Sequence, residues 1–413
     1  MERRVVITGM GTVNPLGFDV METWEALKSG TSGVGRITLF DASDLLVKIA
    51  CEVKEFDPAL YMDPRKIRRR DRFGQFASAA ASQAMRDSGL EIQPGSAGRV
   101  GVVISSAVGG LDTLETGMQV MADDGPRRIS PFMIPMFMSN GASGIVAIDI
   151  GAKGPSFSVA SACASGADAI GLAAMLIRIG VLDVCLTGAS EASITKLGVA
   201  SFDRLGALSR RNEEISLTPS PFDINRDGLV IGEGAAVIIL EDLEHARKRG
   251  VEILAEQVGY GSTTDAFHIT APSETGAGGA SAIQKALATA AVNPDEIDYI
   301  NAHGTGTKLN DISETKAIKA ALGDAAYKVP ISSTKSMTGH MMGATGALEA
   351  IICVMAIRDG ILPPTIHLND PDPECDLDYV PNHAREGEIE IALSNAFGFG
   401  GHNAVLAFRR YTG

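Results

Sequence analysis

Continuous apolar runs of strand length alternate along this chain with longer stretches rich in small residues. Residues 5–8 (Val-Val-Ile-Thr) end at Gly9 and read as a buried strand, and residues 76–84 (Phe-Ala-Ser-Ala-Ala-Ala-Ser-Gln-Ala) read as a helix. A buried strand at 100–105, a Gly/Ala-rich helix from near Cys163 to Gly180 and an antiparallel strand at 234–240 follow. The same succession then returns at 253–259, 280–287, 297–302, from near His340 to Gly360, and 403–408. Apolar runs without alternation mark strands covered on both faces, and their alternation with helices predicts an α/β fold. Two copies of one βα unit predict two sheets packed across a shared layer of helices. The stretch 164–179 belongs in that layer, because Ala167, Ile170, Leu172, Ala173, Ala174, Leu176 and Ile177 make it apolar nearly all round. The basic helix end at 244–249 predicts a division into halves 1–250 and 251–413.

Composition narrows the class. The chain has 413 residues with 45% hydrophobic content, enough for a large core, and 46 glycines against only 5% aromatics. Small residues that let backbones approach closely should therefore build the interior. A net charge of -14 argues against a broadly basic nucleic-acid surface. The five cysteines contain no C-x-x-C pair, so neither a disulfide framework nor a zinc site is expected. The apolar run near Met1 is too short for a signal peptide, and no stretch approaches the ~18 apolar residues of a membrane span. The expectation is a soluble cytoplasmic protein with no membrane partner.

Cys163, in Ser161-Ala162-Cys163-Ala164-Ser165-Gly166, stands where an apolar strand (157–159) turns into the buried helix. Backbone N–H groups at a helix N-terminus favour a thiolate over a thiol of ordinary pKa ~8.5. The alternative is an inert buried cysteine, which suits Cys185 and Cys353. His303 and His340 are both expected at the C-terminal end of a strand, the usual site edge in α/β sheets. His245, His367, His383 and His402 sit in charged or loop-like contexts and read as surface residues. Lys335 precedes His340, and Glu349 follows it within an apolar helix. A carboxylate there needs a partner or a changed protonation state, as a structural ion pair or a catalytic group.

Gly398-Phe399-Gly400-Gly401 either gathers backbone N–H groups around an anion or makes a tight turn. Gly9-Met10-Gly11 begins like a dinucleotide loop, but Asn14 stands where the third glycine belongs, and no P-loop occurs. A cysteine nucleophile, two histidines and an oxyanion site suggest acyl-thioester chemistry. One Cys–His pair suffices for hydrolysis; the second histidine and the lysine suggest a further charged step, such as enolate stabilisation.

Four segments together resemble the β-ketoacyl-[acyl-carrier-protein] synthases, condensing enzymes of type II fatty acid synthesis. They are Ala162-Cys163-Ala164-Ser165-Gly166, Asn301-Ala302-His303-Gly304-Thr305-Gly306-Thr307, Lys335-Ser336-Met337-Thr338-Gly339-His340 and Asn395-Ala396-Phe397-Gly398-Phe399-Gly400-Gly401. The resemblance covers essentially the whole chain. It implies a thiolase-like fold, with duplicated halves in a five-layer α-β-α-β-α arrangement, and a homodimer. It implies that Cys163 accepts an acyl chain from a carrier thioester. His303 and His340 would promote decarboxylation of a malonyl donor, with Lys335 orienting the site and Glu349 its acidic neighbour. The N–H groups of Cys163 and Phe399 would form the oxyanion hole, with Phe399 also a gate. Thr305 and Thr307 would contact the phosphopantetheine arm.

For the acyl chain the resemblance implies Val108, Met133, Phe202 and Phe399, with the segment 132–138 at the dimer interface. It implies no free cofactor and no metal ligand, since substrates arrive on the acyl carrier protein. The basic run 65–72 in an acidic protein, above all Arg65, Lys66, Arg68 and Arg69, suits docking of an acidic carrier. His402, Lys308 and Asp168 depart from the common family pattern. The alternatives are a discrete polyketide ketosynthase, a non-catalytic acyl-carrier scaffold, and a non-decarboxylating thiolase, the last disfavoured because thiolases use a second cysteine.

Overall fold

The structure is a computed structural model that describes residues 3–413. Ten strands form its frame. In the first half these are β1 (Val5–Val13), β2 (Val100–Ser105), β3 (Ser156–Phe157), β4 (Val184–Glu191) and β5 (Gly234–Asp242). In the second half they are β6 (Ala255–Thr264), β7 (Tyr299–Asn301), β8 (Ile331–Ser332), β9 (Ile391–Gly398) and β10 (His402–Arg409). The strand order is β8-β7-β9-β10-β6-β1-β5-β4-β2-β3. Read outward from the middle, the halves run 1-5-4-2-3 and 6-10-9-7-8, the same order strand for strand. The pairings match as well: β1–β5 and β5–β4 are antiparallel and β4–β2 and β2–β3 parallel, like their counterparts in the second half.

The half-sheets meet edge to edge at β1 and β6 through Val6 opposite Glu256 and Ile7 opposite Ala255. The two sheets predicted from the sequence are thus hydrogen-bonded into one continuous sheet. Six helices give the layers. α1 (Arg72–Ser88) and α2 (Gly141–Ile150) cover the outer face of the first half, and α4 (Ala277–Ala290) and α5 (Lys308–Leu322) that of the second. Between the half-sheets lie α3 (Ser165–Arg178) and α6 (Thr345–Asp359), each touching strands of both halves. This is the five-layer arrangement that the resemblance implied.

Glycine placement explains how closely the layers sit. A methyl group at Gly11 in β1 would stand 2.1 Å from the Ala80 carbonyl oxygen in α1, and one at Gly261 in β6 would stand 2.0 Å from that of Ala282 in α4. The pair Gly9/Gly11 is therefore not a phosphate loop but a strand interior on which the outer helix rests. Gly259/Gly261 repeats the device in the second half.

The central layer differs in detail from the expectation. α6 is buried from Thr345 to Ile357. α3 is buried all round only at its start; Met175 on its last turn and Ile179 just beyond it are exposed. The strand expected at 157–159 is only Ser156–Phe157, at the open edge of the sheet.

Candidate functional site

Each central helix is entered through a 3₁₀ turn in which one residue with a side chain has positive φ. Ala162 (φ 52°) lies in the turn Ala162–Ala164 before α3, and Met342 (φ 44°) in the turn Met342–Ala344 before α6. Cys163 occupies the first turn. His340 precedes the second, beyond the one-turn helix Lys335–Thr338, rather than ending a strand as expected. His303 does follow a strand, two residues after β7. The duplicated fold brings the three together: the sulfur and one nitrogen of each imidazole lie within 4.8 Å of one another. The two rings are nearly perpendicular, with centroids 5.3 Å apart.

All three side chains lie in a buried setting. Burial first, and the Lys335 charge second, push both imidazoles well below the ordinary histidine range, so both are neutral near pH 7. The N–H of Met342 donates to His340 Nδ1 at 3.1 Å, which leaves the ring proton on Nε2, and that nitrogen has no partner. His303 Nδ1 also lacks a partner.

The Cys163 thiol departs from the expectation of a favoured thiolate. Burial pushes it up to about 11, outweighing Lys335 and the N–H groups of Phe399 and of Cys163 itself. Both N–H groups nevertheless pull it down through hydrogen bonding to the sulfur.

Lys335 and Glu349 form a buried ion pair at 2.5 Å, and Lys335 Nζ also lies 3.5 Å from the Ala302 carbonyl oxygen. Burial raises the Glu349 carboxyl to about 8, against the pull of Lys335. Two further buried carboxylates shape the site, and neither was singled out from the sequence. Glu314 in α5 accepts the N–H groups of His303 (2.7 Å) and Gly304 (2.6 Å). Glu191 at the end of β4 accepts from Ser106, Ala107, Val108 and Gly343, tying the Val108 loop to the turn after His340. Among the described residues, the buried oxygens without partners include Glu349 Oε2, Ser394 Oγ and Asn395 Oδ1.

The remaining candidates spread outward. Thr305 and Thr307 hydroxyls lie 2.9 Å apart, on a loop whose Thr307 and Lys308 carbonyls accept from buried Arg226. Thr307, Lys308, Leu205, Leu309, Thr270 and Phe399 line a cavity of about 310 Å³. Gly400 has φ 84°, and its N–H donates to Ile269 across that mouth. The His402 ring lies against Gly400. Phe202 packs into a cluster with Ala107, Ile194, Val199 and Met342. Met133 lies apart, against Gly117, in an exposed stretch with Phe132 and Ile134. The basic run divides: Arg65, Lys66, Arg68 and Arg69 are exposed, with Arg65 paired to Asp63 and Lys66 to Asp149, whereas Arg70 is buried and held by Asp149 and Ser78, and Arg72 is held by Glu233. Of the histidines set aside, His245 bonds buried Glu241, and His367 is half-buried against the Pro219 carbonyl.

Residues 2–246 match the family model described as beta-ketoacyl synthase, N-terminal domain, and residues 254–369 its C-terminal domain. The chain is 50% identical over 409 residues to the 3-oxoacyl-[acyl-carrier-protein] synthase 2 of Coxiella burnetii, covering 99% of each. It is 48% identical over 410 residues to the synthase 2 of Synechocystis sp., again covering 99% of each. Among solved structures it resembles a type II polyketide synthase acyl-carrier protein in complex with its ketosynthase bound to a hexaketide. There the TM-score is 0.91 and the identity 37%, with 100% of both chains covered.

Proposed function

This chain belongs to the β-ketoacyl synthase family, and on that premise we propose that it condenses a Cys163-bound acyl chain with malonyl-[acyl-carrier protein], releasing CO2. The convergence of the Cys163 sulfur with two neutral imidazoles within 4.8 Å carries the reading. The identity near 50% to synthase 2 enzymes, against 37% to the polyketide ketosynthase complex, favours fatty acid elongation over the polyketide alternative.

In the first step the Cys163 sulfur attacks the carrier thioester. The carbonyl oxygen takes up negative charge between the Cys163 and Phe399 N–H groups. The carrier sulfur then leaves with the thiol proton, giving acyl-Cys163 and a free carrier thiol. In the second step the malonyl C–C bond to carboxylate breaks and CO2 departs. Its electron pair forms an enolate, whose oxygen accepts from the proton fixed on His340 Nε2 and from His303. Neutral donors set in place before charge develops stabilise the transition state without reorganisation. The enolate carbon attacks the acyl-Cys163 carbonyl, the C–S bond breaks, and the sulfur takes a proton. The products are the 3-oxoacyl carrier, CO2 and the free thiol.

Burial first, and the charge of Lys335, paired with Glu349, second, keep both imidazoles neutral.

The partner in this reading is acyl carrier protein, docked on Arg65, Lys66, Arg68 and Arg69, with its arm passing Thr305, Thr307 and the Phe399 gate. No free cofactor is needed. Exposed Phe132, Ile134, Met138, Met175 and Ile179 support a homodimer, and β3 leaves an open sheet edge. The segment with Met133 would then complete the acyl pocket near Val108 and Phe202. The halves divide near Gly250. The enzyme works in the cytoplasm; among the described residues no helix is long and apolar enough to cross a membrane.

The Cys163→Ala variant tests the reading. Condensation should vanish while malonyl decarboxylation by the histidine pair persists. Retained condensation would refute it.

A further inference from the structure

A short hydrogen-bonded chain behind the nucleophile turn joins the two halves. Ser161 Oγ donates to one oxygen of Asp168 at 2.5 Å, and the Tyr260 hydroxyl donates to the other at 2.5 Å. Asp168 is 8% exposed and Ser161 9%, so the carboxylate is shielded and both its oxygens are engaged. It lies in the first turn of α3, where the helix dipole favours negative charge. Tyr260 comes from β6 of the other half. Its ring fills the space over Gly171, where a methyl group would stand 2.4 Å from the ring.

The element that needs holding is Ala162. A residue with a side chain at φ 52° is strained. Such strain persists only where the surroundings over-determine it. Ser161, directly before it, is gripped at three atoms. Its N–H donates to Ser165 Oγ at 3.0 Å, its carbonyl accepts from the Ala164 N–H at 3.1 Å, and its hydroxyl is bound by Asp168. Cys163 comes directly after. Gly398 closes the far side: a methyl group there would stand 2.8 Å from the Ser161 carbonyl oxygen and 3.0 Å from the Cys163 nitrogen. Of the three hydrogen bonds at Ser161, only the Asp168 contact continues by a side-chain hydrogen bond into the opposite half, whose Gly398 adds backbone packing against the turn.

We propose that Ser161, Asp168 and Tyr260 are positioning residues for acyl transfer, holding Ala162 in its strained conformation and thereby aiming the sulfur and N–H of Cys163. The inference deepens the proposed function and rests on Cys163 being the nucleophile. The network's bonds include neither His303 nor His340. It therefore acts on acylation of Cys163 and leaves malonyl decarboxylation alone. That separation distinguishes positioning from general structural support.

The test uses the full-length protein and two readouts: single-turnover acylation of Cys163 by acyl-[acyl-carrier protein], followed by intact mass, and CO2 release from malonyl-[acyl-carrier protein]. Ser161→Ala and Tyr260→Phe should each slow acylation about tenfold, the effect of losing one hydrogen bond to a charged group, with CO2 release unchanged. Ser161→Thr, which keeps the hydroxyl, should restore wild-type acylation. Absence of a Cys163 adduct in the wild-type protein would overturn the nucleophile reading itself. With that adduct present, three outcomes would each overturn the positioning role: acylation at the wild-type rate in both single variants, equal losses in the two readouts, or Ser161→Thr as slow as Ser161→Ala.

Discussion

The backbone N–H of Met342 donates to Nδ1 of His340 at 3.1 Å, from a residue held at φ 44°. An accepting ring nitrogen carries no proton, so Nε2 holds it, and the tautomer is set by the backbone before substrate arrives. His340→Ala removes that donor. Loss of one donor to a developing oxyanion costs about 10²–10³ in rate. CO2 release from malonyl-[acyl-carrier protein] should fall by that factor, while acylation of Cys163 stays near the wild-type rate. A variant that decarboxylates normally would contradict the assignment.

The buried thiol makes an unusual pH signature. With Cys163 pushed up to about 11, its thiolate fraction rises tenfold per pH unit throughout the range below that value. Alkylation by iodoacetamide should therefore climb log-linearly from about pH 7 to about pH 10. A plateau near pH 8.5 would mean an ordinary thiol. The imidazoles, held well below the ordinary range by burial and Lys335, lose their neutral form only at pH values below that range. Decarboxylation should consequently show no histidine-dependent fall between about pH 7.5 and about pH 6.5.

Charge at the docking face separates carrier-bound substrates from small ones. Arg68 and Arg69 are exposed, and Arg69 lies over the Phe132 ring at 4.8 Å, whereas Arg70 is paired with Asp149 and Arg72 with buried Glu233. Reversal of Arg68 and Arg69 to glutamate should raise KM for acyl-[acyl-carrier protein] by about tenfold or more at low salt and spare small acyl thioesters. Equal losses on both substrates would remove the docking role.

Much of this architecture was legible because duplication repeats its signals. The runs at 5–8 and 253–259, and the small-residue helices after them, announce the same unit twice, and the strand orders agree. Cys163, His303 and His340 stood out because each interrupts a small-residue turn. Glu314 and Glu191 did not. Glu314 lies in α5 among Lys308, Asp311, Lys316 and Lys319, where a sequence reads a solvated helix, yet Asp311 and Glu314 face inward to hold loop N–H groups. Glu191 ends an apolar strand like an ordinary boundary residue. Its partners lie on loops 84 and 152 residues away in sequence, beyond the reach of any local pattern. The thiol missed in direction for a related reason: helix N-termini are local and readable, while burial depends on what the rest of the chain places over the sulfur.

The most direct test of the central claim is intact mass spectrometry of the enzyme mixed first with acyl-[acyl-carrier protein] and then with malonyl-[acyl-carrier protein], with CO2 counted alongside. The account predicts one acyl group per chain, located on Cys163. The adduct should then disappear with release of one CO2 and formation of one 3-oxoacyl carrier per acyl group. Product formation without a Cys163 adduct, or an adduct that malonyl-[acyl-carrier protein] leaves in place, would contradict it.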